Sequence, residues 1–203
     1  MKKNYILNIL GIFFLILSIS AIINTIYRDN VDGILWLCYP GLFIISIGLL
    51  LKKDDLISSQ LNILTIPLTV WSVDYFSFFI FGETLLGITD YMFMDFPLTS
   101  KLISFQHVFT LPLSFYALYL IRLKTKDIWK ISFVQLILTF IITRLLTSSE
   151  SNINYVYRFN KLEILPDIIY PVAWFLAFFI IVFITNYAIE KLLKNNNPFL
   201  KTI

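Results

Sequence analysis

Six predominantly apolar runs occupy most of this chain, at about Tyr5–Ile26, Gly33–Leu51, Leu61–Phe81, Ser104–Ile121, Ile128–Leu146 and Ile168–Ile189. A hydrocarbon core of about 30 Å is spanned by about 20 apolar residues in an α-helix. The sequence therefore predicts an all-α fold, a polytopic membrane helix bundle with six transmembrane helices. Little is left between the runs, so residues 1–203 read as a single integral membrane domain. Only 14% of residues are charged, against about 25% in a soluble domain.

The first run could pass for a signal peptide, with Lys2-Lys3 before it and Ser18-Ile19-Ser20 ahead of Ala21. It continues to Ile26, beyond a usual signal core, and reads as a retained span.

Lysine and arginine placement predicts the orientation. With the N-terminus inside, eleven of the sixteen basic residues fall on the cytoplasmic side: Lys2, Lys3, Lys52, Lys53, Arg122, Lys124, Lys126, Lys130, Lys191, Lys194 and Lys201. Arg28, Lys101, Arg144, Arg158 and Lys161 fall outside. The positive-inside rule then places both termini in the cytoplasm, and the expected location is the inner (cytoplasmic) membrane of a prokaryotic cell. The cytoplasmic connections Lys52–Gln60 and Arg122–Asp127 read as short basic turns. The outer loops Gly82–Ile103 and Thr147–Asp167 are much longer, and loops of such length are often functional. Thr84–Met94 carries enough apolar side chains to lie in the interface or partly re-enter it.

Several function classes drop out. A net charge of +3, scattered along the chain, gives no footprint for nucleic acid. The one cysteine, Cys38, permits no intrachain disulfide. There is no Gly-rich phosphate loop, Cys/His metal cluster or G-x-S-x-G elbow, so no metal and no cofactor is expected.

The candidate site starts from Asp74, the only charged residue between Leu56 and Phe81. A carboxylate within a span marks a functional site or a paired structural one. Seven residues before Phe81, it lies roughly 10 Å below the outer boundary. His107, the only histidine, and Arg144 enter the membrane from the same side. His107, Thr110 and Ser114 share one helix face, as do Ser132, Gln135, Thr139 and Thr143. Pro67 and Pro112 stand inside spans three and four, where each removes a backbone hydrogen bond. The loop above contributes Asn152, Asn154, Tyr155, Tyr157 and Arg158. Asp74 and His107 are thus the candidate catalytic pair, with Arg144, Asn152, Asn154, Tyr157 and Arg158 as candidate ligand-binding groups. The structural alternatives remain open: polar stripes as interhelical glue, Arg144 snorkelling to head groups, His107 bonded to a loop carbonyl, and Asp74 paired with Arg144 or with His107.

The motifs Gly87-Ile88-Thr89-Asp90-Tyr91-Met92, His107 with Leu111-Pro112-Leu113, and Asn152-Ile153-Asn154-Tyr155-Val156-Tyr157 resemble a family of prokaryotic multi-span membrane proteins of unassigned activity. In that family the last motif reads like Asn-Ile-Asn-Trp-Val-Phe, and the resemblance runs from about Ile80 to Val182. More distantly, an acid in one span, a His opening the next and an aromatic-proline final span look like the YwaF-type membrane family. That group is related to a phospholipid acyltransferase thought to use a Cys–His pair. The resemblance maps its His to His107, but Val73 stands where its Cys is expected, so it implies a fold and a pocket without the nucleophile.

Three functions follow as expectations. One is a lipid- or isoprenoid-handling enzyme with Asp74 and His107 as acid/base pair. Another is a non-catalytic protein that binds or transports a small molecule or a proton, although no inverted repeat supports a transporter. The third is a structural partner in the membrane. Membrane lipids are the expected partners and nucleic acid is not; no protein partner is identified.

Overall fold

The computed structural model describes residues 2–158 and 165–193. The predicted all-α membrane bundle is the architecture observed, with no strand among the described residues. Its helices are α1 (Lys2–Tyr27), α2 (Cys38–Leu51), α3 (Asp54–Phe81), α4 (Leu98–Ser104), α5 (Gln106–Ile121), α6 (Ile128–Leu146) and α7 (Tyr170–Leu193), with 3-10 turns at Val31–Leu35, Asp90–Met92 and Ile153–Tyr155. Four of them, α1, α3, α6 and α7, are long and apolar enough to cross a membrane. The 14 residues of α2 and 16 of α5 reach only about 21 and 24 Å at 1.5 Å per residue. Each is preceded by a separate short helical piece.

The long α3 is the axle of the bundle, packing against α2, α5, α6 and α7, while α1 lies mainly along α2. Close approach to α2 is possible because Gly41 and Gly48 lack side chains. A Cβ on Gly41 would stand 2.6 Å from a Leu64 methyl, and one on Gly48 would stand 2.8 Å from Ile57. The buried core includes Leu7, Phe14, Leu42, Ile45, Leu49, Ile57, Leu61, Leu118, Leu136 and Val182. Ser46 crosses from α2 to donate to the Gly11 carbonyl of α1 at 2.8 Å.

Several boundaries move. Span two, expected from Gly33, becomes a 3-10 turn and then a helix from Cys38. Pro40 sits in its first turn, where a missing N–H costs nothing. Span four, expected from Ser104, begins at Gln106, and the end of the outer loop before it forms the short α4. The largest correction concerns Lys52–Gln60, which is a turn only at Lys52 and Lys53. Asp54 and Asp55 open α3, where acids complement the helix dipole. The polar residues behind them, Ser58, Ser59, Gln60 and Asn62, are buried inside the bundle. Lys161, Lys194 and Lys201 of the charge reading lie outside the described residues.

The bundle has two unlike ends. At the turn end, Asp54 caps the connection between α5 and α6, its Oδ2 accepting the backbone N–H groups of Lys124 and Thr125, both at 2.7 Å. The loop end carries the segments 82–97 and 147–158 and holds all the predicted site residues.

Candidate functional site

Asp74 lies in the last two turns of α3 with no exposed surface. Gly82 ends that helix at φ 78°, its N–H returning to the Phe78 carbonyl at 2.9 Å. Such a left-handed turn favours glycine, and it sends the chain back over the helix end. The loop then delivers its donors to Asp74. Oδ1 accepts the Leu86 N–H at 2.5 Å, and Oδ2 accepts the Thr89 N–H and Thr89 hydroxyl, both at 2.9 Å. Ser77 strengthens the fold-back by donating to the Asp74 carbonyl at 2.7 Å and accepting the Leu85 N–H at 3.1 Å. Thr84 donates to Asp90 one turn further on. Gly87 has φ 75°, the second left-handed glycine of the loop.

Neither partner expected for Asp74 is the one it has. No hydrogen bond or ion pair joins it to His107 or Arg144. The geometric reason is local: a loop fifteen residues downstream reaches the carboxylate first, with backbone donors that need no counter-charge. His107 instead points its Nδ1 at the Ser104 carbonyl at 2.6 Å. A carbonyl only accepts, so Nδ1 carries the proton and Nε2 the lone pair. Its ring lies 4.7 Å from that of Trp71, whose indole N–H donates to the Tyr91 hydroxyl at 3.2 Å. Tyr75 stacks on Trp71 and on Phe93, and Phe93 on Phe78. Thus Tyr91 and Phe93 of the first outer loop are folded onto the aromatic wall of α3, while Leu85, Leu86 and Met94 of the same loop stay exposed.

The second loop closes on itself and on three helices. Asn154, 5% exposed, acts as a side-chain peptide: its Oδ1 accepts the Leu37 N–H and its Nδ2 donates to the Leu35 carbonyl, both at 2.8 Å. Its own carbonyl accepts from the Trp174 indole at 3.0 Å, and Tyr170 donates to the Tyr155 carbonyl at 2.7 Å. Both Asn154 and Tyr155 sit at positive φ, a strain held by this clasp. Asn152 folds the loop from within, accepting the Tyr157 and Arg158 N–H groups at 3.2 Å and donating to the Arg158 carbonyl at 2.6 Å. The Tyr157 hydroxyl points at the carbonyls of Arg144 and Thr147 at 2.9 and 2.6 Å. Arg144 is flanked by two rings, its guanidinium carbon 5.3 Å from the Phe140 centroid and 5.0 Å from that of Tyr157. Arg158 forms an exposed ion pair with Asp167 at 3.1 Å.

The predicted residues therefore form two neighbouring sets: Asp74 with its loop beside the Trp71–His107 wall, and Arg144, Asn152, Asn154, Tyr157 and Arg158 around the second loop. Tyr155 lies between them. Burial pushes its phenol above the usual value, and the Asp74 carboxylate adds to the shift. Among the described residues no group of three His, Cys, Asp or Glu side chains is placed to hold a metal.

Two further features lie outside the candidate site of the sequence reading. Between α3 and α5 runs an apolar groove of about 400 Å³, lined by Ser72, Val73, Phe76, Val108, Leu111 and Pro112 among others, with Leu85 of the first loop at its rim. At the turn end, Ser59, Gln60 and Asn62 of α3 bond to Ser132 and Gln135 of α6 and Asn186 of α7. The spacing of Ser58 with Asn62, and of Asn186 with Glu190, was the available signal: each pair is i, i+4 on a helix face. No protein-family model, curated protein or solved structure matches this chain.

Proposed function

We propose that this protein is a non-catalytic lipid-binding protein of the prokaryotic cytoplasmic membrane, with both termini inside and the loop end facing out. The α3–α5 groove, which carries the reading, holds a lipid chain. A groove of this volume within the range of ligand sites, bounded by exposed Phe76, Ile80 and Phe81, meets hydrocarbon when the bundle is in a bilayer. Its walls offer an acyl or isoprenoid chain apolar contact, and Thr69, Ser72 and Ser77 contribute few polar atoms. The resemblance to the YwaF-type family supports the same occupant, since Val73, at the position of that group's cysteine, lines the groove. A valine there leaves a chain-binding wall without a nucleophile.

The test is lipid retention. Protein purified in mild detergent is expected to carry phospholipid or isoprenoid seen by native mass spectrometry. Val73→Trp and Val108→Trp, each filling the groove, should release most of it while the fold persists by circular dichroism. Equal lipid content in both variants and the parent would overturn the reading. One observation favours a second, enzymatic reading: the Ser104 bond leaves Nε2 of His107 as a base. Asp74 has no part in it. Turnover of a lipid substrate that is abolished by His107→Ala and unaffected by Val73→Trp would select that reading instead.

A further inference from the structure

The polar stripe of α6 is used unequally. Ser132 at one end donates to the Ser59 and Ile128 carbonyls at 3.1 and 3.2 Å, and Thr143 at the other accepts the Asn154 amide at 3.4 Å. Gln135 and Thr139, between them, line a second groove of about 160 Å³, which also takes in Gly41 of α2 and Gln60 of α3. The exposed side chains of Leu138 and Ile142 stand at its edge.

The hydrogen-bond roles of these groups follow from their neighbours. Ser59 Oγ donates to the Leu56 carbonyl at 3.0 Å, so toward Gln60 it accepts. Gln60, 3% exposed, therefore turns its Nε2 inward, donating to Ser59 Oγ at 3.4 Å and to Gln135 Oε1 at 2.8 Å. That leaves Gln60 with Oε1 and Gln135 with Nε2. Among the described residues no donor reaches the first and no acceptor the second. The Thr139 hydroxyl is unpaired too, although Thr65, Thr69, Thr110 and Thr147 each donate to the carbonyl four residues earlier. None of the three atoms is sealed in packing. A Cβ on Gly41 would stand 3.4 Å from Gln60 Oε1, so the glycine leaves that oxygen uncovered. Gln135 lies about 10 Å from the start of α6, a depth at which an unanswered polar group is costly.

We propose that this groove binds the ring of a neutral, membrane-soluble lipid through a hydroxyl on that ring. A hydroxyl both donates and accepts, so one group answers Gln60 Oε1 and Gln135 Nε2 together, and Thr139 offers a further bond. Among the described residues no charged side chain lines the groove, so a carboxylate or ammonium would enter it uncompensated. The volume suits one six-membered ring, since an apolar cavity of about 150 Å³ holds benzene. At the edge, Leu138 and Ile142 leave an apolar tail free to run into the bilayer. The site is independent of the lipid reading of the α3–α5 groove, with which it shares no lining residue.

The test is fluorine NMR of para-fluorophenol and para-fluorotoluene, which are close in size and differ in the hydroxyl. Each is titrated into nanodiscs carrying the protein, with empty discs as the baseline. The expected result is saturable binding of para-fluorophenol, about tenfold tighter than para-fluorotoluene, the equivalent of about 1.4 kcal/mol. Gln135→Leu should bring the two probes level. Thr139→Val, which removes only a hydroxyl and leaves the glutamine pair in place, should weaken para-fluorophenol about threefold. Val73→Trp, in the other groove, should change neither probe. Equal binding of both probes to the parent would mean an apolar void alone and would overturn the proposal. So would the absence of saturable binding above empty discs. A preference for para-fluorophenol that survives both Gln135→Leu and Thr139→Val would overturn it too.

Discussion

Asp74 and Asn62 are both buried polar residues of α3, about 18 Å apart along its axis, and they are solved in opposite ways. The charged group, the costlier one to bury, is fully answered: three donors from its own following loop converge on two oxygens. The neutral amide, which attracts less notice in a sequence, is left with an acceptor unanswered. Charge alone is thus a poor guide to which buried group goes unmatched. A carboxylate can be a structural keystone when backbone N–H groups reach it, whereas a plain asparagine keeps an unpaired oxygen when its neighbours compete for its nitrogen.

The largest expected effect tests the keystone. Asp74→Ala strands three buried donors and should lower unfolding free energy by about 3–5 kcal/mol, measured by denaturant titration in micelles. A loss below 1 kcal/mol would mean that the loop folds without it. Asn154→Ala removes two bonds to the 35–37 segment and should cost about 2 kcal/mol, with Trp174 fluorescence reporting a loosened loop end. Asn62→Leu should cost only about 1 kcal/mol, because it deletes an unanswered oxygen along with the two bonds of Nδ2. A loss as large as that of Asp74→Ala would erase the contrast. Ser58→Ala should lie within about 0.5 kcal/mol of the parent.

The smallest effect concerns pH. Burial raises the phenols of Tyr155 and Tyr91, in Tyr91 against hydrogen bonds from Ser104 and Trp71 that lower it. A raised folded value favours the neutral form, so the contribution is complete below the unfolded value near 10. It is lost as pH rises through the folded value. Tm should be level from pH 8 to about 10 and fall above it, less steeply in Tyr155→Phe.

Hydropathy made the helical bundle legible, because length and continuous apolar character are what a bilayer demands. It failed at Ser58–Gln60, where a polar run beside Lys52-Lys53 reads as a turn. Ser59 and Gln60 are held inside the bundle by α6 partners more than seventy residues away, which no local pattern reveals. His107 was legible in its plainer role, bonded to a carbonyl at a helix entry. The partner of Asp74 was not: a lone acid in a span suggests a basic side chain, and backbone donors leave no trace in residue identity. Two glycines, Gly82 and Gly87, were the available hint, since they give the loop the turns it needs to come back.

The Asn154 clasp has a consequence for how the protein is made. The Asp74 latch can close once Thr89 has been synthesised, within one helix and its loop. The clasp joins Leu35 and Leu37 to Asn154 and Trp174, so it waits for α7. The mouth of the bundle stays open until Trp174 has emerged, and a chain arrested before that point keeps its latch and lacks its clasp.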